Sequence, residues 1–84
     1  MKLYFENSRG NIREIAEVAT YQEASRKMSN FMNDHNYACY YTRMWGVERE
    51  DIGICLKFDV GSWSEFFYVA FDSEEERERF IKRG

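Results

Sequence analysis

Phe58-Asp-Val-Gly-Ser-Trp-Ser-Glu-Phe-Phe-Tyr-Val-Ala-Phe71 is the stretch that decides the fold. Two apolar, β-prone runs flank a Gly61-Ser62 centre, the pattern of a tight antiparallel hairpin. On its upstream side Ile52, Ile54, Leu56, Phe58 and Val60 alternate with Gly53, Cys55, Lys57 and Asp59, the clearest period-two strand in the chain. On its downstream side a strand over 63–71 puts Glu65, Phe67, Val69 and Phe71 on one face and Phe66, Tyr68 and Ala70 on the other.

Further upstream, Gly46 to Asp51 reads as a polar loop. Tyr37 to Trp45 reads as a strand with Tyr37, Cys39, Tyr41, Arg43 and Trp45 on one face and Ala38, Tyr40, Thr42 and Met44 on the other. Before it, Thr20-Tyr21-Gln22-Glu23 is a capping box, in which the threonine hydroxyl accepts an early helical N–H and the glutamate reaches back to the cap. Tyr21, Ala24, Met28, Phe31, Met32 and His35 follow at helical spacing as one apolar stripe. Asn33 and Asn36 suit the helix end, because asparagine tolerates the left-handed conformation.

At the N-terminus Lys2 to Asn7 alternates, Ser8-Arg9-Gly10-Asn11 turns, and Ile12 to Ala19 returns with weaker alternation. At the C-terminus Ser73-Glu74-Glu75-Glu76 is a second capping box, with its acids where the helix dipole favours them. That helix has only Phe80 and Ile81 as strongly apolar residues, so it docks by its last turn. The expectation is one α+β domain over residues 1–84, ordered β-β-α-β-β-β-α, with a meandering antiparallel sheet packed against one main helix.

The composition suits a small domain with a real core. Among 84 residues, 44% are hydrophobic and 18% aromatic, and the 32% that are charged solvate the surface. Fifteen acidic against twelve basic side chains give a net charge of −3, and the basic residues are scattered rather than clustered. Duplex DNA binding is therefore disfavoured, since it relies on grouped Lys and Arg. No apolar stretch approaches a membrane span, and no signal peptide is read at the N-terminus. Cys39 and Cys55 fall inside predicted strands and read as reduced, buried thiols of a cytoplasmic protein, although a disulfide between them also fits.

Catalytic equipment is thin. His35 is the only histidine and stands at the end of a helix, where imidazoles more often pack or cap than catalyse. His35, Cys39 and Cys55 lack metal-site spacing, and Gly61-Ser62 lacks the length of a phosphate loop. Asp59 and Glu65 could meet across the hairpin as an acid–base pair, but an aspartate beside Gly and Ser more often organises the turn. The expectation is a non-catalytic protein without cofactor or metal.

The aromatic–polar mixture carries more meaning. Tyr41, Arg43 and Trp45 project together, Trp63 stands at the hairpin tip, and Glu48, Glu50 and Asp51 lie on the neighbouring loop. Tyr, Trp and Arg dominate protein–protein hot spots, and the same set can stack a nucleotide with Arg43 on its phosphate. The structural alternative is that the second helix covers this face, with Trp45 and Trp63 as core edges. An uncovered edge strand would also allow a homodimer.

Asp59-Val60-Gly61-Ser62-Trp63-Ser64-Glu65-Phe66-Phe67 resembles a string found in small uncharacterised proteins of bacteriophages and prophages of Gram-positive bacteria. Tyr40 to Trp45 belongs to the same pattern, so the resemblance covers the central third of the chain. It carries no catalytic residues to transfer. It implies a setting in the bacterial host cytoplasm and a partner among host proteins, such as a CRISPR nuclease or another nucleic-acid-binding defence factor, with nucleotide sequestration as the alternative.

Overall fold

Among the described residues seven elements form, in the expected order: β1 (Lys2–Glu6), β2 (Ile12–Glu17), α1 (Tyr21–Asp34), β3 (Arg43–Arg49), β4 (Gly53–Asp59), β5 (Phe66–Ala70) and α2 (Glu74–Arg83). The computed structural model describes residues 1–36, 42–62 and 64–83. The expectations for Tyr37 to Tyr41 and for Trp63 lie outside the described residues. No helix among the described residues is long and apolar enough to cross a membrane.

The five strands among the described residues join one antiparallel sheet in the order β2-β1-β5-β4-β3. The architecture is α+β: a β1–β2 hairpin and a β3–β4–β5 meander, joined because β5 returns to pair with β1. The chain between β2 and β3 must therefore pass from one edge of the sheet to the other. Five strands span about 19 Å, and the fourteen residues of α1 give a rod of about 21 Å, which suits that crossing.

Both helices start with the capping chemistry read in the sequence. Thr20 Oγ1 accepts the Glu23 N–H at 3.1 Å, and Glu23 Oε1 accepts the N–H of Ala19, one residue ahead of the cap, at 2.7 Å. Ser73 and Glu76 repeat the device at α2, at 3.2 Å and 3.1 Å. Asn36 follows α1 with φ 59°, the left-handed geometry that ends a helix.

The core lies between the helices and one face of the sheet. Leu3, Phe5, Leu56, Phe58, Phe67 and Val69 point into it from the strands, Ala24, Met28 and Met32 from α1, and Phe80 from α2. Phe5, Phe31 and Phe67 pack ring against ring at centroid separations of 4.5–5.7 Å. As expected, α2 docks by Phe80, whose ring meets Phe71 at 5.2 Å, while Ile81 stays exposed.

Three boundaries differ from the sequence reading. The span 46–51 is not a loop: β3 runs on to Arg49, and the turn is confined to residues 50–52. The Gly61-Ser62 hairpin is wider than a two-residue turn, because β4 ends at Asp59 and β5 begins at Phe66 rather than at residue 63. The β4–β5 ladder ends at Phe58↔Phe67, and Asp59 bends the chain by accepting the Gly61 N–H at 2.9 Å. Finally, β2 stops at Glu17 and carries a bulge where Ile15 has no partner, between Leu3↔Ala16 and Tyr4↔Glu14. That extra residue breaks the alternation, which is why β2 looked irregular as sequence.

Candidate functional site

Among the described residues, no helix covers the other face of the sheet. Side chains alternate across a strand, so this face receives Tyr4 and Glu6 from β1, Phe66 and Tyr68 from β5, Cys55, Lys57 and Asp59 from β4, and Arg43, Trp45, Val47 and Arg49 from β3. Register brings them together: Lys57 stands between Trp45 and Tyr68, and Tyr4 stands beside Tyr68.

At its centre Lys57 reaches across three rings. Its Nζ lies 4.0 Å from the Phe66 centroid, 5.7 Å from Tyr68 and 6.0 Å from Trp45, within the range of cation–π attraction. Phe66 is half-buried, and Trp45, 42% exposed, is the exposed large hydrophobic residue of this face among the described residues. The second helix does not cover Trp45, so it is not a core edge.

Beside the rings lies a polar network. The Arg49 guanidinium sits 4.8 Å over Tyr68, donates to both carboxylate oxygens of Asp51 at 2.9 and 3.0 Å, and donates to Glu6 Oε2 at 3.0 Å. The Tyr68 hydroxyl donates to the other oxygen of Glu6 at 2.8 Å. The bidentate partner holds the Asp51 carboxyl below the usual carboxylate range, and the same pair holds Arg49 firmly charged. Burial, reinforced by the bond to Glu6, pushes the Tyr68 phenol up to about 12.

Cys55 is fully buried between Val47 and Ala70 in the ladder, and its Sγ lies 3.6 Å from Val47 O. Burial pushes its thiol up, away from the reactive thiolate. His35 lies elsewhere, on the helix side, stacked on Phe31 at 4.0 Å with Nδ1 2.9 Å from the Phe31 carbonyl. It caps α1, as helix-end histidines do.

The expected contact set therefore divides. Arg43 and Trp45 share the helix-free face, and Arg43 Nη2 donates to Asp59 Oδ2 at 2.8 Å. Glu48 is not on a loop with Glu50 and Asp51; it lies in β3 with the parity of Gly46, on the helix side. Glu50 is exposed in the turn, and Asp51 is engaged with Arg49. Tyr41 and Trp63 fall outside the described residues. Asp59 and Glu65 each serve the connection, Asp59 through Gly61 and Glu65 by accepting the Ser62 hydroxyl at 2.7 Å.

Lys57, Phe66, Tyr68, Glu6 and Arg49 were missed as a group. Their strand faces were readable, but which strand neighbours which was not. A groove of about 410 Å³ opens at the other end of the sheet, where Lys2 and Tyr4 are joined by Glu17, Asp72 and Glu76. No family model, curated protein or solved structure matches this chain.

Proposed function

We propose that this protein is a non-catalytic, phage-type binding module that docks on a host protein through its helix-free sheet face. The observation that carries this reading is the exposed Trp45 beside an aromatic cluster whose cations are already engaged within the chain. Arg43 holds Asp59, Arg49 holds Asp51 and Glu6, and Lys57 lies against Phe66. A rigid aromatic centre with a charge-balanced rim suits a protein interface, where Trp, Tyr and Arg bury large areas with little loss of rotamer freedom.

A nucleotide-binding reading has less behind it. Phosphates seek basic groups that are still available, whereas the arginines here face carboxylates and the groove places Glu17, Asp72 and Glu76 where a phosphate would be repelled. The resemblance to phage proteins directs the search for a partner to bacterial defence proteins, CRISPR nucleases among them, met in the host cytoplasm.

The test is affinity capture from a nuclease-treated bacterial lysate with three baits: wild type, Trp45→Ala, and Arg79→Ala on the helix side as control. The expected result is a protein retained by wild type and control and lost with Trp45→Ala, whose far-UV CD stays unchanged. Truncation of a hot-spot Trp costs ~2 kcal/mol or more, about thirtyfold in affinity. Equal retention by all three baits would place the contact elsewhere and overturn the assignment of this face.

A further inference from the structure

Lys57 stands apart from the other cations of the helix-free face. Among the described residues Arg43 meets Asp59, Arg49 meets Asp51 and Glu6, and Lys2, toward the β2 edge, meets Glu14 at 3.5 Å. No ion pair or hydrogen bond among these residues reaches the Lys57 ammonium, which lies against rings instead.

Register accounts for this. Lys57 faces Trp45 on one side and Tyr68 on the other, and its same-face neighbours along β4 are Cys55 and Asp59. Cys55 is buried, and Asp59 turns its carboxylate to Gly61 and Arg43. Glu6 already accepts from Arg49 and from Tyr68. In the isolated chain the half-buried ammonium keeps its tip toward solvent, as long basic side chains do.

A partner that covers Trp45 changes that balance. The Lys57 Nζ lies 6.0 Å from the Trp45 ring centroid, so whatever buries the indole also strips water from the ammonium. A buried charge without a counter-ion is strongly unfavourable, and the attraction of a ring face is small beside that cost. The arginines of the face make no such demand, because each brings a carboxylate of its own.

We propose that the partner supplies the counter-ion: an aspartate or glutamate side chain seated on Lys57, with apolar residues beside it against Trp45 and Phe66. The face therefore recognises a protein segment that is acidic at one position and apolar around it. A single ammonium calls for a monoanion. A phosphate, with close to two charges, would meet no second cation here that lacks a carboxylate among the described residues. The inference rests on the docking reading and makes Lys57 the residue that selects the partner.

The test is selection from a library of random short peptides on full-length wild type, Lys57→Met, Lys57→Glu and Trp45→Ala. Methionine keeps an apolar stem, so that variant removes the charge alone. Wild type should enrich peptides with one fixed Asp or Glu beside aromatic or aliphatic residues. Lys57→Met should lose the acidic position, and Lys57→Glu should replace it with Lys or Arg. By fluorescence anisotropy, a selected peptide should bind wild type about thirtyfold more weakly once its acid is changed to the amide, the loss expected when a buried charge loses its partner. That comparison holds even where a variant of the protein folds poorly. Peptides that depend on Trp45 but carry no fixed acid would overturn the inference and leave the docking face standing. A library without Trp45-dependent peptides would overturn both. AMP that displaces the peptide from wild type, and binds less well to Lys57→Met, would assign Lys57 to a phosphate and overturn the proposal.

Discussion

The guanidinium of Arg77 fills the space above Gly46 that a side chain would occupy: a β-carbon there would lie 2.8 Å from Nη1 and 2.9 Å from Cζ. From this position Nη1 lies 3.5 Å from the carbonyl oxygen of Val47 and 3.3 Å from that of Cys55, and donates to both. One arginine thus ties α2 to β3 and β4, and the glycine in the middle of a strand is the space it requires.

Gly46→Ala should therefore destabilise the protein by about 1 kcal/mol, because Arg77 must give up its hold on the two carbonyls. In an Arg77→Ala background the same change should be neutral or stabilising, since alanine in an extended strand costs less chain entropy than glycine. Urea denaturation of the four proteins closes the cycle and reads the coupling directly. Additive effects would mean that the two residues do not interact.

The Tyr68–Glu6 bond predicts an alkaline limit to stability. The phenol is raised from 10.0 to about 12 in the folded protein, so the folded state binds its proton more tightly than the unfolded state does. A raised pKa contributes stability fully below the unfolded value and loses it as pH rises through the folded one. The melting temperature should fall between about pH 10 and 12, the unfolded and folded values of this phenol. Tyr68→Phe should lie lower at neutral pH and descend less steeply in that window, as followed by thermal CD.

Asp51 works in the opposite direction. Its carboxyl is lowered by Arg49, so the contribution of the pair is present above the ordinary carboxylate pKa and is lost as pH falls below about 4. Asp51→Asn should flatten acid unfolding in that range. The size of the effect is small because the pair lies at the surface.

Asp59 separates a turn function from a charge function. Asp59→Ala removes the acceptor of the Gly61 N–H and the partner of Arg43, and should cost about 1–3 kcal/mol. Asp59→Asn keeps an oxygen for Gly61 and should recover most of that loss, because an ion pair to the exposed Arg43 contributes at most about 1 kcal/mol. Equal losses in the two variants, measured by urea denaturation, would assign the stability to the charge instead.

Cys55 should behave as an inert thiol. In Cys39→Ser protein, Ellman's reagent at neutral pH should leave Cys55 unmodified until urea unfolds the chain, because the side chain is fully buried and its thiol raised. Rapid modification of the native protein would show that the helix-free face opens.

Much of the fold was legible where the signal is local. The Thr20–Glu23 and Ser73–Glu76 boxes, the alternation from Ile54 to Phe58 and the turn-forming role of Asp59 each depend on neighbours within a few residues. The end of β3 was not legible, because Gly46, Glu48 and Arg49 have the composition of a loop. Arg49 is held in the strand by Glu6 and Asp51, and Gly46 is required by Arg77, thirty-one positions away in sequence. The candidate site was legible only as fragments: Arg43 and Trp45 were placed on one face, but Glu48 was grouped with a turn it does not belong to.

Short-range terms in the sequence by themselves determined the order and type of the elements and the starts of both helices, since capping, φ preference and side-chain period act over one or two turns of chain. The tertiary structure alone decided which strands are neighbours. Glu6 and Tyr68 stand sixty-two positions apart and meet because β5 returns to β1, a pairing selected by burial of the whole core on the opposite face. A strand exposes the same alternation whichever partner it takes, so only the collective packing of Leu3, Phe5, Leu56, Phe58, Phe67 and Val69 under the helices sets the register that assembles Trp45, Lys57, Phe66 and Tyr68 into one surface.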